Sequence, residues 1–418
     1  MNPDNKIMNN LLLLIFSIFL VFAPFSGLIV KICLILSVML GLLVNIFKFK
    51  MNFFKHIIPG SKVNKVFYLF LFACFLSAVF SINFYHSQGV FFDRYILFFI
   101  SLWAGVWLSQ TEKKNIFVFA AVILVWSLFV GIGGIRDYII LRNANFNMGS
   151  RLLSFFGLMI SYSALPLYLT IYIPVNYYLF VLGKNKWLKY LGLINTCLLI
   201  VCLYWNASRI AWMAVLLSML LVAILKKRKS LTVSLVAVLI FISSLVVFPL
   251  MKERVASILI PADWSDRMPL FKSAIKIFRN YPVLGTGIGT FEKVIRLPKY
   301  ELPSSYPVPR NTMLHAHNTY LEIASEMGII GLLAFLSIFA VFFFKAFKLL
   351  RSNNSDFSND ERAVFMGLVS SVFAVLVFAF GSSIITVGLT VSAYFWFIFG
   401  LAAGYLSKKE ATVVVEVK

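Results

Sequence analysis

Apolar residues run along this chain in blocks of about twenty, broken by short polar stretches, from one end to the other. As helix, a block of that length crosses the roughly 30 Å hydrocarbon core of a bilayer. The blocks fall at about 8–23, 27–47, 66–83, 89–109, 115–134, 153–182, 188–206, 210–225, 231–250, 327–349, 363–381 and 385–406. The pattern predicts an all-α polytopic membrane protein with about twelve transmembrane helices. The block 153–182 contains Pro166 and Pro174, each lacking a backbone donor, so a tilted or kinked helix is expected there. The first block is followed at once by the second with no small-residue cleavage site between them. It reads as a retained helix rather than a signal peptide.

Composition supports the membrane reading: 61% of the residues are hydrophobic and 13% charged, where a soluble protein carries about a quarter charged. The net charge of +22 would suggest a nucleic-acid partner in a soluble chain. In a membrane protein it must first be sorted by side. Lys48, Lys50, Lys55, Lys62, Lys65, Lys113, Lys114, Lys184, Lys186, Lys189, the run KKRK at 226–229, Lys408 and Lys409 all fall on one face when the blocks alternate. That face is cytoplasmic by the positive-inside rule, with both termini inside, and no nucleic-acid partner is implied. The chain then divides into membrane helices over 1–250, one large outer loop over 251–326, periplasmic or extracellular, and membrane helices with a short tail over 327–418. Cys33, Cys74, Cys197 and Cys202 lie inside apolar blocks and read as small buried hydrophobes.

The outer face carries Arg94, Arg136, Arg142, Arg151, Arg209, Arg254, Arg267, Arg279, Arg296 and Arg310, whereas lysine dominates inside. Topology does not ask for arginine outside. Some of these pair with Asp93, Asp137, Glu253 or Asp263. For the rest an anionic ligand is expected, because the guanidinium fork matches phosphate and carboxylate oxygens.

Within the loop, Met268, Phe271, Ile275 and Phe278 recur at helical steps, with Lys272, Lys276 and Arg279 on other faces. This amphipathic helix suits the membrane surface, where it would bring Arg267 to lipid headgroups, and equally suits a cap on the bundle. GTGIG at 285–289 lacks the spacing and the lysine of a phosphate loop. HAHNTYLEIASEMG at 315–328 holds two of the chain's four histidines directly before an apolar block. Metal ligation would need a third ligand, with Glu322 the one at hand. A structural cap and general acid–base work remain as the other readings, the last suited to a group that titrates near neutrality.

Together SRIAW at 208–212, DRMPLFKSAIKIFRNYPVLGTGIGTF at 266–291 and HAHNTYLEIASEMGIIGLLAFL at 315–336 resemble the O-antigen ligase and O-antigen polymerase superfamily. Upstream, only MGSRLLSFFG at 148–157 is similar. The resemblance implies an enzyme of the bacterial inner membrane with an architecture like that of the C-type glycosyltransferases and one large periplasmic loop. It implies a glycan donor on undecaprenyl diphosphate, membrane lipids as surroundings, and no metal or other cofactor. Carried onto this chain, the family's essential histidine falls on His317, with His315 second, and its essential arginines on Arg209 and Arg267. Arg151 and Arg136 join these as expected diphosphate ligands, and Asn318 and Glu322 as supporting groups. Fixed cations would stabilise the departing diphosphate while the histidine accepts the proton of the attacking hydroxyl. A ligase would use lipid A–core oligosaccharide or another glycan as acceptor; a polymerase would use a lipid-linked repeat. The compact loop and short tails favour ligase. A lipid or anion transporter is the other class of reading, but the blocks hold almost no ionisable residue to serve as a relay.

Overall fold

The computed structural model describes residues 3–24, 26–48, 62–143, 154–159, 164–221, 228–247, 267–300, 302, 314–352, 357–383, 386 and 388–416. Helices run over α1 (Pro3–Phe22), α2 (Gly27–Lys48), α3 (Lys62–Val79), α4 (Phe84–Thr111), α5 (Lys113–Asn143), α6 (Ala164–Leu182), α7 (Lys186–Asn206), α8 (Arg209–Leu220) and α9 (Arg228–Val247). After the short α10 (Met268–Asn280) and α11 (Phe291–Ile295) come α12 (Thr319–Arg351), α13 (Asn359–Phe378) and α14 (Leu389–Glu416). An apolar helix therefore occupies each expected block. Among the described residues seven helices are long and apolar enough to cross a membrane: α4, α5, α6, α7, α12, α13 with the turn after it, and α14. Among the described residues α1, α2, α3, α8 and α9 contribute shorter apolar stretches, of 10–17 residues.

Helices that are apolar all round must be buried on every side or face lipid. Almost the whole of α6 is buried, and α13 and α14 nearly so, and these form the bundle's centre. Small residues let helices close: a Cβ at Gly400 would lie 2.2 Å from the Leu102 carbonyl, and one at Gly105 would lie 2.4 Å from that of Phe397. Such contact between α4 and α14 gains dispersion where lipid supplies no hydrophobic drive. Trp396 fills the adjoining layer against Phe67, Phe70 and Phe339. One polar knot ties α5, α6 and α7, with Asn195 Nδ2 donating to Asn176 Oδ1 at 3.0 Å and to the Leu124 carbonyl at 2.7 Å. Such interhelical bonds contribute about 0.6–2 kcal/mol.

Three expectations change. The block 153–182 is not one kinked helix: Ser154–Phe155 (β1) pairs antiparallel with Leu158–Met159 (β2), and α6 starts only at Ala164. Pro166 sits in its first turn, where a missing donor costs nothing, and Pro174 lies inside it. Cys33, Cys74 and Cys202 are buried, but Cys197 is exposed on α7. The amphipathic helix α10 does form, yet it buries Leu270, Ala274 and Ile277, while Met268 and Ile275 are exposed. Its buried face meets Phe291, Val294, Ile295, Tyr300, Leu314 and Ala316 in a second, smaller core. Periodicity identified the helix; the partner surface chose which apolar stripe to bury.

Candidate functional site

The loop that carries α10 and α11 is clamped to the start of α12 first by backbone. Thr286 N donates to the Ser325 carbonyl at 3.1 Å, Gly287 N to that of Glu326 at 2.9 Å, and Ile329 N to that of Pro282 at 2.8 Å. Two chains this close leave no room for side chains. A Cβ on Gly285 would lie 2.2 Å from the Glu326 carbonyl carbon, and one on Gly328 would lie 2.2 Å from the Val283 oxygen. Gly328 also takes φ 63°, ψ −164° and breaks α12 into a short leading segment and a long apolar one. Glycine tolerates that conformation and L side chains do not. The run GTGIG therefore spends its amides on protein acceptors. The Glu326 carboxylate takes two more, from Gly289 N and Phe291 N at 2.9 Å each.

The histidine segment is pinned between the two cores. Ala316 is fully buried in the smaller core and its N–H donates to Glu322 Oε2 at 3.0 Å. The other oxygen of that carboxylate, Oε1, lies 3.2 Å from His315 Nδ1. Glu322 is buried on the inner face of α12, and each of its carboxylate oxygens has a partner, the His315 ring nitrogen or the Ala316 amide. The chain then reverses at His317, whose φ of 49° is left-handed, and His317 reaches the surface while His315 is half-buried. Histidine is among the few non-glycine residues enriched in that region. Asn318 caps α12, its Oδ1 accepting from Leu321 N at 3.0 Å, a contact that stabilises a helix by about 1 kcal/mol.

A turn at 380–382, between α13 and α14, gathers the rest. Asn318 Nδ2 donates to the Phe380 carbonyl at 3.1 Å, Arg267 Nη1 to that of Gly381 at 3.0 Å, and Thr319 Oγ1 to that of Ser382 at 2.7 Å. Gly381 also packs on Ile210, in the first turn of α8 beside Arg209. Three distant stretches, around 209, 267 and 318, thus meet on one turn.

The two imidazoles sit in opposite fields. Burial opposes protonation of His315, but the hydrogen bond and charge of Glu322, helped by Glu326, outweigh it and lift the pKa above the ordinary imidazole value, against a smaller push from Arg94. For His317 desolvation and then the Arg267 charge, with His315 adding to them, hold the pKa below that value. At neutral pH the arrangement favours a neutral His317 able to accept a proton beside a fixed cation able to hold an anion.

Of the residues named from sequence, His315, His317, Asn318, Glu322 and Arg267 are brought to this cluster, and Arg209 begins α8 next to the Ile210 that packs on Gly381. Glu322 orients His315, not His317. Arg136 is placed elsewhere: its Nη1 pairs with Asp137 Oδ1 at 2.8 Å and its guanidinium lies over Phe156. The same buried carboxylate anchors the β1–β2 hairpin through Ser154 Oγ and Gly157 N, at 2.7 Å each. Arg151 lies outside the described residues. The sequence reading missed Glu326 and the 380–382 turn. The polar FGSS between two apolar blocks was the available signal for the turn. Among the described residues no three His, Cys, Asp or Glu side chains gather as a metal site would require.

Compared with known families, residues 194–336 match the model described as O-antigen ligase. That span begins in α7, takes in Arg209 and Arg267, and ends beyond Gly328 in α12. Among curated proteins none matches this chain.

Proposed function

We propose that this chain, whose residues 194–336 match the O-antigen ligase family model, is a glycosyltransferase-like ligase or polymerase that transfers a glycan from a polyprenyl diphosphate to a sugar hydroxyl at the outer membrane surface. The observation that carries this reading is the convergence of Arg267 and of Asn318, the residue after His317, on the 380–382 turn, against which the start of α8 also packs. The acceptor hydroxyl oxygen attacks the anomeric carbon, its proton passes to His317, and the bond from that carbon to the diphosphate oxygen breaks. The diphosphate leaves with the bonding electrons and its charge is met by Arg267 and Arg209. His315, whose protonated form Glu322 favours, keeps the segment in place. The steps call on no metal, and both termini are cytoplasmic with the 251–326 loop periplasmic.

The reading is supported by the family match, by the convergence of the two arginine stretches on the 380–382 turn, and by the field that keeps His317 neutral. The acceptor is lipid A–core oligosaccharide, which makes the protein a ligase. A surface-glycan gel on a strain lacking the gene, paired with extraction of lipid-linked glycans, tests it. Long chains stranded on the carrier lipid with bare core at the surface are the expected result. A core bearing one repeat and no long chains anywhere identifies a polymerase, and an unchanged profile in both fractions overturns glycan transfer.

A further inference from the structure

Phe380 leaves 58% of its surface exposed on a turn whose backbone is held by three donors. Its own carbonyl accepts from Asn318 Nδ2, and the next two carbonyls accept from Arg267 Nη1 and Thr319 Oγ1. One side of its ring is backed by Tyr320, with the centroids 4.5 Å apart and the planes tilted by 40°. Tyr320 is itself fixed, its hydroxyl donating to the Leu376 carbonyl at 2.8 Å and its ring meeting Phe335 edge-on. The phenyl is therefore mounted: its backbone and one side are fastened, and the rest is open.

Exposed aromatics elsewhere suit lipid. Phe129 and Phe344 lie part-way along α5 and α12, on the flanks of long apolar helices. Phe380 differs in place and in company. The turn joins α13 to α14, two of the three most enclosed helices, so it lies over the centre of the bundle and not at its lipid-facing perimeter. The groups around it are polar: Asn318, which follows His317, bonds to Phe380 itself, and Arg267 bonds one residue away. A flat apolar surface rimmed by polar groups matches a pyranose ring, which carries C–H bonds on its faces and hydroxyls around its edge. An isoprenoid chain, apolar throughout, gains nothing from such a rim and would have to leave the hydrocarbon to reach it.

We infer that Phe380 is the stacking platform for the sugar ring that carries the reacting anomeric carbon, and that it positions this ring between His317 and the arginine-bound diphosphate. The inference rests on the transfer reading, because the roles of His317 and Arg267 place the sugar. Stacking holds one ring face against the phenyl and keeps the anomeric carbon in line between the attacking hydroxyl and the departing oxygen. Phe380 touches the substrate through carbon alone and exchanges no proton. An axial hydroxyl on the stacked face would lift the ring, so the same contact selects among sugars.

The test is equilibrium binding of the full chain in lipid nanodiscs to two probes. One is the lipid-linked glycan extracted from the strain lacking the gene, and the other is polyprenyl diphosphate with no sugar. Phe380→Leu keeps the apolar bulk and loses the flat face. It should raise the dissociation constant for the glycan-bearing lipid about fivefold and leave that for polyprenyl diphosphate unchanged. Phe380→Tyr, which keeps the ring, should match the unmodified protein with both probes, and Phe380→Met replaces Phe380→Leu if the latter does not fold. If the two probes weaken together the ring serves the isoprenoid, and if neither weakens it only packs against Tyr320. Either result overturns the sugar platform and leaves the transfer reading standing, as does a Phe380→Tyr protein as weak as Phe380→Leu. If the unmodified protein binds neither probe, the transfer reading falls and the platform with it.

Discussion

Glu322 Oε1 lies 3.2 Å from His315 Nδ1, while its second oxygen holds the amide of Ala316, so one buried carboxylate sets the conformation of the residue on each side of a single peptide bond. His317 follows immediately and is left to the surface and to Arg267. The two histidines therefore have different jobs, and substitutions separate them.

His317→Ala removes the proton acceptor and leaves the Glu322 contacts intact. Transfer should fall by about 10²–10⁴-fold with the protein still folded and still binding donor lipid. Glu322→Gln should instead lower stability, by about 1.5–3 kcal/mol for a hydrogen bond to a charged group. A transfer assay beside thermal melts distinguishes them; an active His317→Ala protein removes the general-base assignment.

The pH dependence follows from the opposite shifts. Because the His317 pKa is lowered, the acid limb of the rate profile should lie below about 6.5, the ordinary histidine value. Arg267→Gln removes a cation that opposes protonation, so the limb of its residual activity should move to higher pH. An unmoved limb would sever Arg267 from His317.

Stability responds to His315 with the other sign. Its folded pKa is raised, so its contribution is complete below about 6.5 and is lost as pH rises through the folded value. Melting temperature measured across this window should decline on the alkaline side, and Glu322→Gln should flatten the decline. A steeper slope in the variant would contradict the pairing.

Arg267→Lys retains charge but loses the planar fork that reaches the Gly381 carbonyl, and Arg209→Lys makes the same exchange at the start of α8. Both should reduce transfer by about tenfold or more, with little change in melting temperature. Normal turnover in either assigns that arginine to structure.

Gly328→Ala and Gly285→Ala each force a Cβ to within 2.2 Å of backbone on the facing strand of chain. Each should cost more than about 3 kcal/mol, from the left-handed conformation together with the clash. Folded yield in detergent measures it, and a melting temperature equal to that of the unmodified protein would refute the close approach.

Much of this architecture was legible along the chain, because bilayer thickness imposes a length that sequence displays directly. An apolar helix occupies every expected block, whereas the cap before α12, read from the sequence as an imidazole, is supplied by Asn318. Block 153–182 misled because a short hairpin turning at Phe156–Gly157 is as apolar as the helix after it. The Arg136–Asp137 pairing was among the readings the sequence offered, but not that the same carboxylate is buried by a hairpin about twenty residues away.

By itself, then, the sequence determined that the chain is a bundle of apolar helices and that its histidines and outer arginines are the chemistry to watch. Those follow from composition and period, which are local. Tertiary structure alone decided that Glu322 serves His315, that Arg267 and the start of α8 share the 380–382 turn, and that the glycine run clasps α12 instead of a phosphate. Each of these joins residues tens to hundreds of positions apart or picks one partner among several, and only packing in three dimensions makes that choice.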